Sequence, residues 1–141
     1  MYNVAKTFVE TALNRYRKHG KRINIAHPNS VCIRDIGEWI SEDILSRIHQ
    51  GCTFSIKNYV IIMNITEDAF KIDGMINGVN EGLENEKEFE VIVTEEEFIA
   101  QLYAMLLFYE KKNEKLSVST LYEDEEYNAK GINEFFRKVR K

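Results

Sequence analysis

The chain is poor in cysteine, proline and glycine, with two, one and seven of them among 141 residues. A secreted fold of this size that is held by disulfides usually has more cysteines, and no Cys-x-x-Cys spacing for zinc or redox chemistry is present. Cys32 and Cys52 are therefore expected to be buried, reduced thiols. The scarcity of proline and glycine excludes collagen-like and linker-like material.

Long apolar runs and an opening secretory signal are also lacking, which favours a cytoplasmic protein without a membrane-spanning helix. Hydrophobic residues make up 44% and aromatic residues 11% of the chain, which is enough for a packed core and excludes a disordered chain. The length suits one domain. We therefore expect residues 1–141 to form a single α+β domain.

Charge is unevenly distributed along the sequence. Residues 1–66 carry nine basic and five acidic groups, residues 67–126 five basic and seventeen acidic groups, and residues 127–141 five basic and one acidic group. The acidic middle disfavours nucleic-acid binding through that part of the surface. It suits a cationic protein partner, or a solvated surface that keeps the protein in solution.

Four segments have the patterns of helices. Apolar residues recur at helical spacing over residues 3–19, which end before a glycine. An acidic capping-box spacing predicts a second helix over 35–50, with a start nearer Ser30 as the alternative. Thr-Glu-Glu-Glu predicts a third helix over 94–112, and a short amphipathic pattern predicts a last one over 132–139.

Alternating and β-branched residues indicate strands between these helices. The predicted strands are 22–26, 30–34, 53–56, 59–65, 69–72, 88–93 and 116–122. Lys57-Asn58 would be the turn of a two-residue hairpin, 73–82 a flexible loop or long hairpin connection, and 116–122 an edge strand. This order favours an antiparallel sheet of about five to seven strands with helices packed mainly on one face.

The predicted helix 94–112 is apolar around nearly its whole circumference. A helix of this kind must be covered on several sides. It therefore lies at the centre of the core, or it takes part in an interface with a partner or with other copies of the chain. The second case predicts a homo-oligomer.

The segment Asp73–Glu84 partly fits a twelve-residue calcium loop. Its oxygen ligands and turn glycine would be Asp73, Asn77, Gly78, Glu81 and Glu84. Met75 stands where an oxygen ligand is expected and the flanks resemble strands, so a mobile acidic loop is favoured. The three histidines have no metal-binding spacing, and no metal or cofactor is predicted.

Motifs for catalysis are lacking as well. The sequence has no nucleophile elbow and no glycine-rich phosphate loop. A Cys32–His27 or Cys52–His49 dyad rests on the residue types alone. Basic residues with neighbouring aromatics at 15–22 and 135–141 could bind polynucleotides, but both groups lie at helix ends where cations are expected. No catalytic residue is predicted, and a binding role is favoured over an enzyme.

The sequence thus favours a non-enzymatic protein that acts stoichiometrically on a macromolecular partner, as an inhibitor, immunity protein or chaperone. The acidic segment would present Glu81, Glu84, Glu86 and Glu88 to a basic surface of a protein partner. Abundant Ile, Lys and Asn, which have AT-rich codons, indicate a low-GC bacterium or one of its phages, where small acidic proteins often act in this way.

The alternative is a protein that binds or sequesters a small anionic ligand, such as a nucleotide or cyclic nucleotide signal. Such a ligand needs one or two arginines and an aromatic side chain. The candidate contacts are Arg22, Arg34 and Tyr16, because both arginines lie near predicted strand ends.

Overall fold

The fold was analysed in a computed structural model, which describes residues 2–20, 23–26, 31–38, 40–66, 69–112, 115–120 and 124–128. Within these residues the elements are α1 (Tyr2–His19), β1 (Ile23–Ala26), β2 (Val31–Cys32), α2 (Ile33–Ile36), α3 (Glu42–His49), β3 (Ser55–Thr66), β4 (Ala69–Asn80), β5 (Leu83–Val93), α4 (Glu95–Lys112), β6 (Lys115–Thr120) and β7 (Asp124–Asn128). The predicted terminal helix 132–139 lies outside them.

The described strands form one antiparallel sheet, and the predicted α+β fold is confirmed. The strand order is β5-β4-β3-β1-β6-β7, with the short β2 also paired to β3. Strands β3, β4 and β5 are a long meander, whereas β1 enters the middle of the sheet between β3 and β6. Strand β6 also pairs with β7, so its prediction as an edge strand is wrong. Strand β7 was not predicted.

The helices lie on one face of this sheet, as predicted. Helices α1 and α4 pack against each other, and side chains from both are buried in one core with alternate residues of the strands. The strand residues in this core include Tyr59, Ile61, Met63, Ile65, Phe70, Ile72, Ile76, Val91 and Val93. Phe70 meets Phe98 of α4, with ring centroids 5.2 Å apart.

The starts and stops of the two long helices follow their sequence signals. Gly20 takes a positive φ of 65° after α1, and its N–H donates to the carbonyl of Tyr16 at 2.7 Å. At α4 the Thr94 N–H donates to Glu97 Oε1, and the Glu97 N–H donates to Thr94 Oγ1, both at 3.1 Å. The predicted reciprocal capping box is confirmed.

The predicted continuous helix 35–50 is wrong, because two short helices stand in its place. Helix α2 starts directly after β2 at Ile33 and has Gly37 as its C-cap, so the strand predicted at 30–34 is cut to two residues. A new helix then begins after Ser41, whose Oγ accepts from the Ile44 N–H at 3.4 Å. Serine is a strong N-cap, and it outcompetes continuation of the earlier helix.

The predicted hairpin at Lys57-Asn58 is also wrong. Residues 55–56 and the whole segment 59–65 belong to the single strand β3, and both parts pair with β4. The register shifts between Ile56 and Asn58, so Lys57 is the extra residue of a β-bulge. A two-residue hairpin requires residues that accept positive φ, and Lys-Asn lacks the glycine that makes this easy.

Residues 73–80, predicted as part of a flexible loop or long hairpin connection, continue strand β4, and the strand predicted at 88–93 already begins at Leu83. Gly74 and Gly78 misled the prediction, since glycine is typical of loops. In this strand they allow close approach of the neighbouring backbone: a Cβ on Gly74 would overlap the Val60 carbonyl, and one on Gly78 would overlap the Ser55 carbonyl. The actual turn is Glu81-Gly82, with φ of 53° and 80°.

Candidate functional site

One face of the β3–β4–β5 meander is left without a helix by the described part of the chain. Along β4, Phe70, Ile72 and Ile76 are buried on the helix side, so the odd-numbered side chains point the opposite way. We call this opposite surface the open face. Its members are Asn58, Val60, Ile62, Asn64, Lys71, Asp73, Met75, Asn77, Val79, Glu84, Glu86, Glu88, Glu90 and Ile92.

An acidic row of Glu84, Glu86, Glu88 and Glu90 runs along β5 at one end of the sheet. All four side chains are exposed. Alternate residues of a strand lie about 6.8 Å apart, so their carboxylates form a line of like charge. Three of the predicted partner-binding residues are thus brought together on one surface, and Glu90 extends the line.

Glu81, the fourth predicted residue, lies outside this row. It is exposed in the turn between β4 and β5, at the end of the meander nearest Glu84. Positive φ at both Glu81 and Gly82 is typical of the tight hairpin turn that suits the twist of paired strands. Glu81 therefore adds charge at the hairpin tip.

Little positive charge offsets the acidic row among the described residues. Lys71 Nζ lies 3.5 Å from Glu90 Oε1, and Lys57 lines the same depression as Glu84 and Glu86, but no described ion pair reaches the other three glutamates. Lys87 belongs to the same strand but points to the helix side, where its ammonium group donates to the Gln50 carbonyl. The row therefore presents a nearly uncompensated negative field to solvent.

Apolar side chains lie beside the acidic row on β3 and β4. Val60 is 40% exposed and Ile92 at the end of the row is 62% exposed, while Met75 and Val79 are half-buried. Two open depressions, of about 390 and 500 Å³, are lined by Val60, Val79 and Met75 together with glutamates of the row. The open face thus combines an apolar strip with a charged border.

Two separate polar pairs lie on the open face. Asn77 Nδ2 donates to Asn58 Oδ1 at 2.9 Å, and Asn64 donates through Nδ2 to Asp73 Oδ2. Burial raises the pKa of the Asp73 carboxyl, and the negative charge of Glu90 raises it further, while the Asn64 bond and Lys71 oppose the shift. These contacts fix the side chains in the centre of the surface.

The helix side holds the other cluster of reactive side chains, at the end of α3. His49 Nε2 lies 2.5 Å from the hydroxyl of the fully buried Tyr59, and the two rings are stacked. Burial lowers the pKa of His49 and raises that of Tyr59 to about 12. The phenol therefore stays protonated and donates a hydrogen bond to Nε2 of the neutral His49 ring. The pair is an internal contact between helix and sheet.

The Cys52–His49 dyad is not formed, and the Cys32–His27 dyad stays a prediction. Cys52 donates through Sγ to the Phe54 carbonyl at 3.6 Å, while His49 is bonded to Tyr59. Both thiols are free, but Cys32 is exposed and Cys52 is half-buried, so the prediction of two buried thiols is wrong. Cys32 follows Val31 at the end of β2, and it is Val31 that points into the core. His27 lies outside the described residues.

Of the three residues of the alternative anion site, the structure describes Tyr16 and Arg34. Tyr16 is half-buried near the end of α1, and Arg34 is exposed in the one-turn helix α2. No described hydrogen bond or ion pair joins their side chains, and Arg22 lies outside the described residues. A small-anion site at these positions remains a prediction without a described pocket.

The described residues contain no group of three or more His, Cys, Asp or Glu side chains placed to hold a metal ion. The calcium-loop alternative fails on conformation, because residues 73–80 are extended in β4 and do not wrap around a centre. None of the described helices is both long enough and apolar enough to cross a membrane.

Helix α4 is covered largely by its own chain. Eight of its residues are buried, and the Tyr103 ring meets that of Tyr2 in α1 at 5.5 Å. Leu107 is 42% exposed. The surplus of apolar residues in this helix is thus explained mainly by its place between α1 and the sheet, and a homo-oligomer through it remains a prediction.

Most of the open face was missed by sequence reasoning, because residues 73–80 were interpreted as a loop. A usable signal was present: Lys71, Asp73, Asn77 and Val79 alternate with the apolar Phe70, Ile72 and Ile76. Continued through the glycines, this period of two predicts one long strand with a polar outer face.

No protein family model matches this chain, and searches of curated proteins and of solved structures likewise find no match.

Proposed function

We propose that this protein acts stoichiometrically by binding a protein partner with a basic surface, as an inhibitor, immunity protein or chaperone. The binding surface is the open face, with Glu84, Glu86 and Glu88 as its charged contacts. The observation that supports this proposal is the row of exposed, nearly uncompensated carboxylates on a sheet face that no described helix covers.

The composition of the open face suits association with a protein. Specific interfaces combine an apolar centre with a polar rim. Here Val60, Met75 and Val79 supply apolar area, and the acidic row borders it. The asparagine and aspartate bonds in the centre limit the side-chain freedom that would be lost on binding.

Charge at the border would act mainly on the rate and selectivity of association. Complementary charges steer encounter, and salt screens exposed charges over about 8 to 10 Å. Binding through the acidic row should therefore weaken as salt is raised. A partner that binds through apolar contacts alone would be retained at high salt.

The test is a quantitative capture experiment with cell extract at low salt, read by mass spectrometry. The variant Glu84→Lys/Glu86→Lys/Glu88→Lys reverses the acidic row. The control Glu10→Lys/Glu96→Lys/Glu110→Lys makes the same change in net charge at exposed helix positions. A basic partner should be recovered with the wild type and the control, and at least tenfold less with the reversed row.

The melting temperature of each variant, measured by circular dichroism, shows that binding and not folding has changed. Equal capture of the same partner by the reversed variant and the control would contradict the proposal. So would a partner whose recovery with the wild type does not change with salt.

A further inference from the structure

The inference concerns how a partner engages the edge of β5, and it rests on the proposed function. We propose that the partner contributes an extended segment that pairs with β5 as an additional strand. This segment carries lysine or arginine at alternate positions, opposite Glu84, Glu86 and Glu88. Strand addition of this kind takes affinity from backbone hydrogen bonds and specificity from alternate side chains.

The direction of the backbone groups of β5 can be assigned from one contact. Among the described residues this strand pairs with β4 alone. The carbonyl of Ile92 accepts a hydrogen bond at 3.2 Å from Arg47, which belongs to α3 and lies outside the sheet. That bond indicates that the Ile92 carbonyl points away from β4, toward the open edge.

Alternate residues of a strand direct their backbone groups to the same side. The register between β4 and β5 runs without a shift from Asn80↔Leu83 to Phe70↔Val93. The N–H and C=O groups of Glu84, Glu86, Glu88 and Glu90 therefore point to the same open edge as those of Ile92. The residues that supply the negative charge also supply the unpaired backbone donors and acceptors.

Arg47 also defines where the open edge ends. Its guanidinium group bonds to the Ile92 carbonyl, to Glu97 at 2.9 Å and to Asp43 at 3.0 Å, which ties α3 across the end of β5. The segment available to a partner strand is therefore Leu83–Glu90. That length is typical of strands in globular proteins.

Charge selects the occupant of this edge. In a paired strand, the side chain opposite a glutamate lies on the same face at about 4.5 to 5.5 Å between Cβ atoms. Basic residues at alternate positions would thus face the acidic row. The positions between them lie on the helix side near Lys87, where a second set of cations would be repelled. An alternating pattern therefore fits better than a continuous basic run.

A second copy of this chain is a poor occupant of the same edge. Pairing β5 with another β5 would place glutamates of one row beside those of the other, and like charges opposite each other destabilise a sheet. Charged residues on edge strands are a common protection against such self-association. The row therefore discriminates between self-pairing and a basic strand.

The test uses the full-length protein and a capped peptide of alternating threonine and lysine, long enough to pair with Leu83–Glu90. Binding is measured by fluorescence anisotropy at low salt. Two further peptides have the same sequence with backbone N-methyl groups on all threonines or on all lysines. Because successive N–H groups point to opposite sides of a strand, one methylation pattern should weaken binding at least tenfold, and the other should be tolerated.

Two variants address the same edge from the protein side. In Glu86→Pro the proline removes the edge-facing N–H and leaves the bonds to β4 intact, whereas Glu86→Thr removes only the charge. The parent peptide should bind Glu86→Pro at least tenfold more weakly than Glu86→Thr. If Glu86→Pro fails to fold, the two methylated peptides decide the question on the wild-type protein.

The possible results separate the two proposals. If both methylated peptides bind like the parent while reversal of the acidic row abolishes binding, strand addition is overturned and the proposed function stands. Peptide binding that survives reversal of the row overturns both. No binding of the parent peptide, or a dimer that Glu86→Pro converts to a monomer, overturns the basic-strand inference.

Discussion

Asn64 and Asp73 form a diagonal pair across β3 and β4, in which the asparagine amide donates to a carboxyl oxygen of the aspartate. Asn64 is 8% exposed, and the second carboxyl oxygen of Asp73 is buried without a described hydrogen-bond partner. Burial makes the ionised form of a carboxyl group in such a position less favourable than the protonated form. It is therefore a point where pH acts on the stability of the open face.

Replacing Asp73 by Asn should make the protein more stable at neutral pH. Burial holds the pKa of the folded carboxyl above the usual 3.8, so the folded state binds the proton more tightly than the unfolded chain. The stabilisation from this group is present below the unfolded pKa and is lost as pH rises through the folded pKa. Asparagine keeps the acceptor for Asn64 and has no charge to bury.

Urea denaturation at about pH 4 and about pH 7 checks this prediction. The gain of Asp73→Asn over the wild type should be larger at the higher pH. Asp35→Asn serves as the control, because it makes the same change at a half-buried carboxyl group of α2 whose side chain has no described hydrogen bond or ion pair. An equal gain at both pH values would show that the Asp73 charge does not cause the effect.

The His49–Tyr59 contact predicts a loss of stability in mild acid. Burial lowers the pKa of His49 below 6.5, so the unfolded chain binds a proton that the folded state resists. The free energy of unfolding should fall as the pH drops through about 6.5, because stability rises with pH wherever the unfolded state binds more protons. The variant His49→Gln should flatten this dependence, since glutamine binds no proton in this range, while its side-chain oxygen keeps an acceptor for the Tyr59 hydroxyl.

Denaturation curves between about pH 5 and pH 8 provide the measurement. The double variant His19→Gln/His27→Gln removes the other two histidines and should keep the wild-type slope. Tyr59→Phe should cost about 1 to 3 kcal/mol at neutral pH, because it leaves the His49 ring nitrogen without its donor. If the pH dependence disappears in the double variant, His19 or His27 causes it, and the prediction for His49 is contradicted.

Gly74→Ala should destabilise the protein severely, by more than about 2 kcal/mol. The new Cβ would overlap the Val60 carbonyl and lie 3.0 Å from the Phe89 ring, so β3 and β4 would have to separate locally. Gly37→Ala is the matched control, because a Cβ there meets nothing within 4 Å and φ is −69°. It should change stability by less than about 1 kcal/mol.

Thermal unfolding of both glycine variants distinguishes them directly. If Gly74→Ala and Gly37→Ala have the same melting temperature, β3 and β4 do not approach each other at Gly74 as closely as the structure shows.

The parts of the fold that depend on residues close together in the sequence were predictable. The Thr94–Glu97 capping box, the stop at Gly20 and the period-two strands are local signals, and they suffice for an α+β fold with helices on one face. The register at Gly74 was not predictable in this way. A glycine is needed at this position because the Val60 carbonyl of β3 lies too close for a Cβ, and this contact exists only in the assembled sheet.

The candidate site shows the same division. The alternation of Glu84, Glu86 and Glu88 is visible in the sequence, and so is their shared charge. Their common face with Val60 and Met75 depends on strand pairings with β3 and β4, which sequence alone did not supply. The orientation of their backbone groups depends on Arg47, which lies in a helix that was predicted with the wrong boundaries.

The central position of β1 has a consequence for synthesis on the ribosome. Residues 23–26 pair on one side with β3 and on the other with residues 117–120 of β6. The β3–β5 meander and α4 are translated after β1 but before β6 and can pair with one edge of β1, whereas its second edge has no partner until residues 117–120 have been translated. A nascent chain paused before β6 would therefore expose the unpaired edge of β1. The sheet can be completed only after β6 and β7 have been translated.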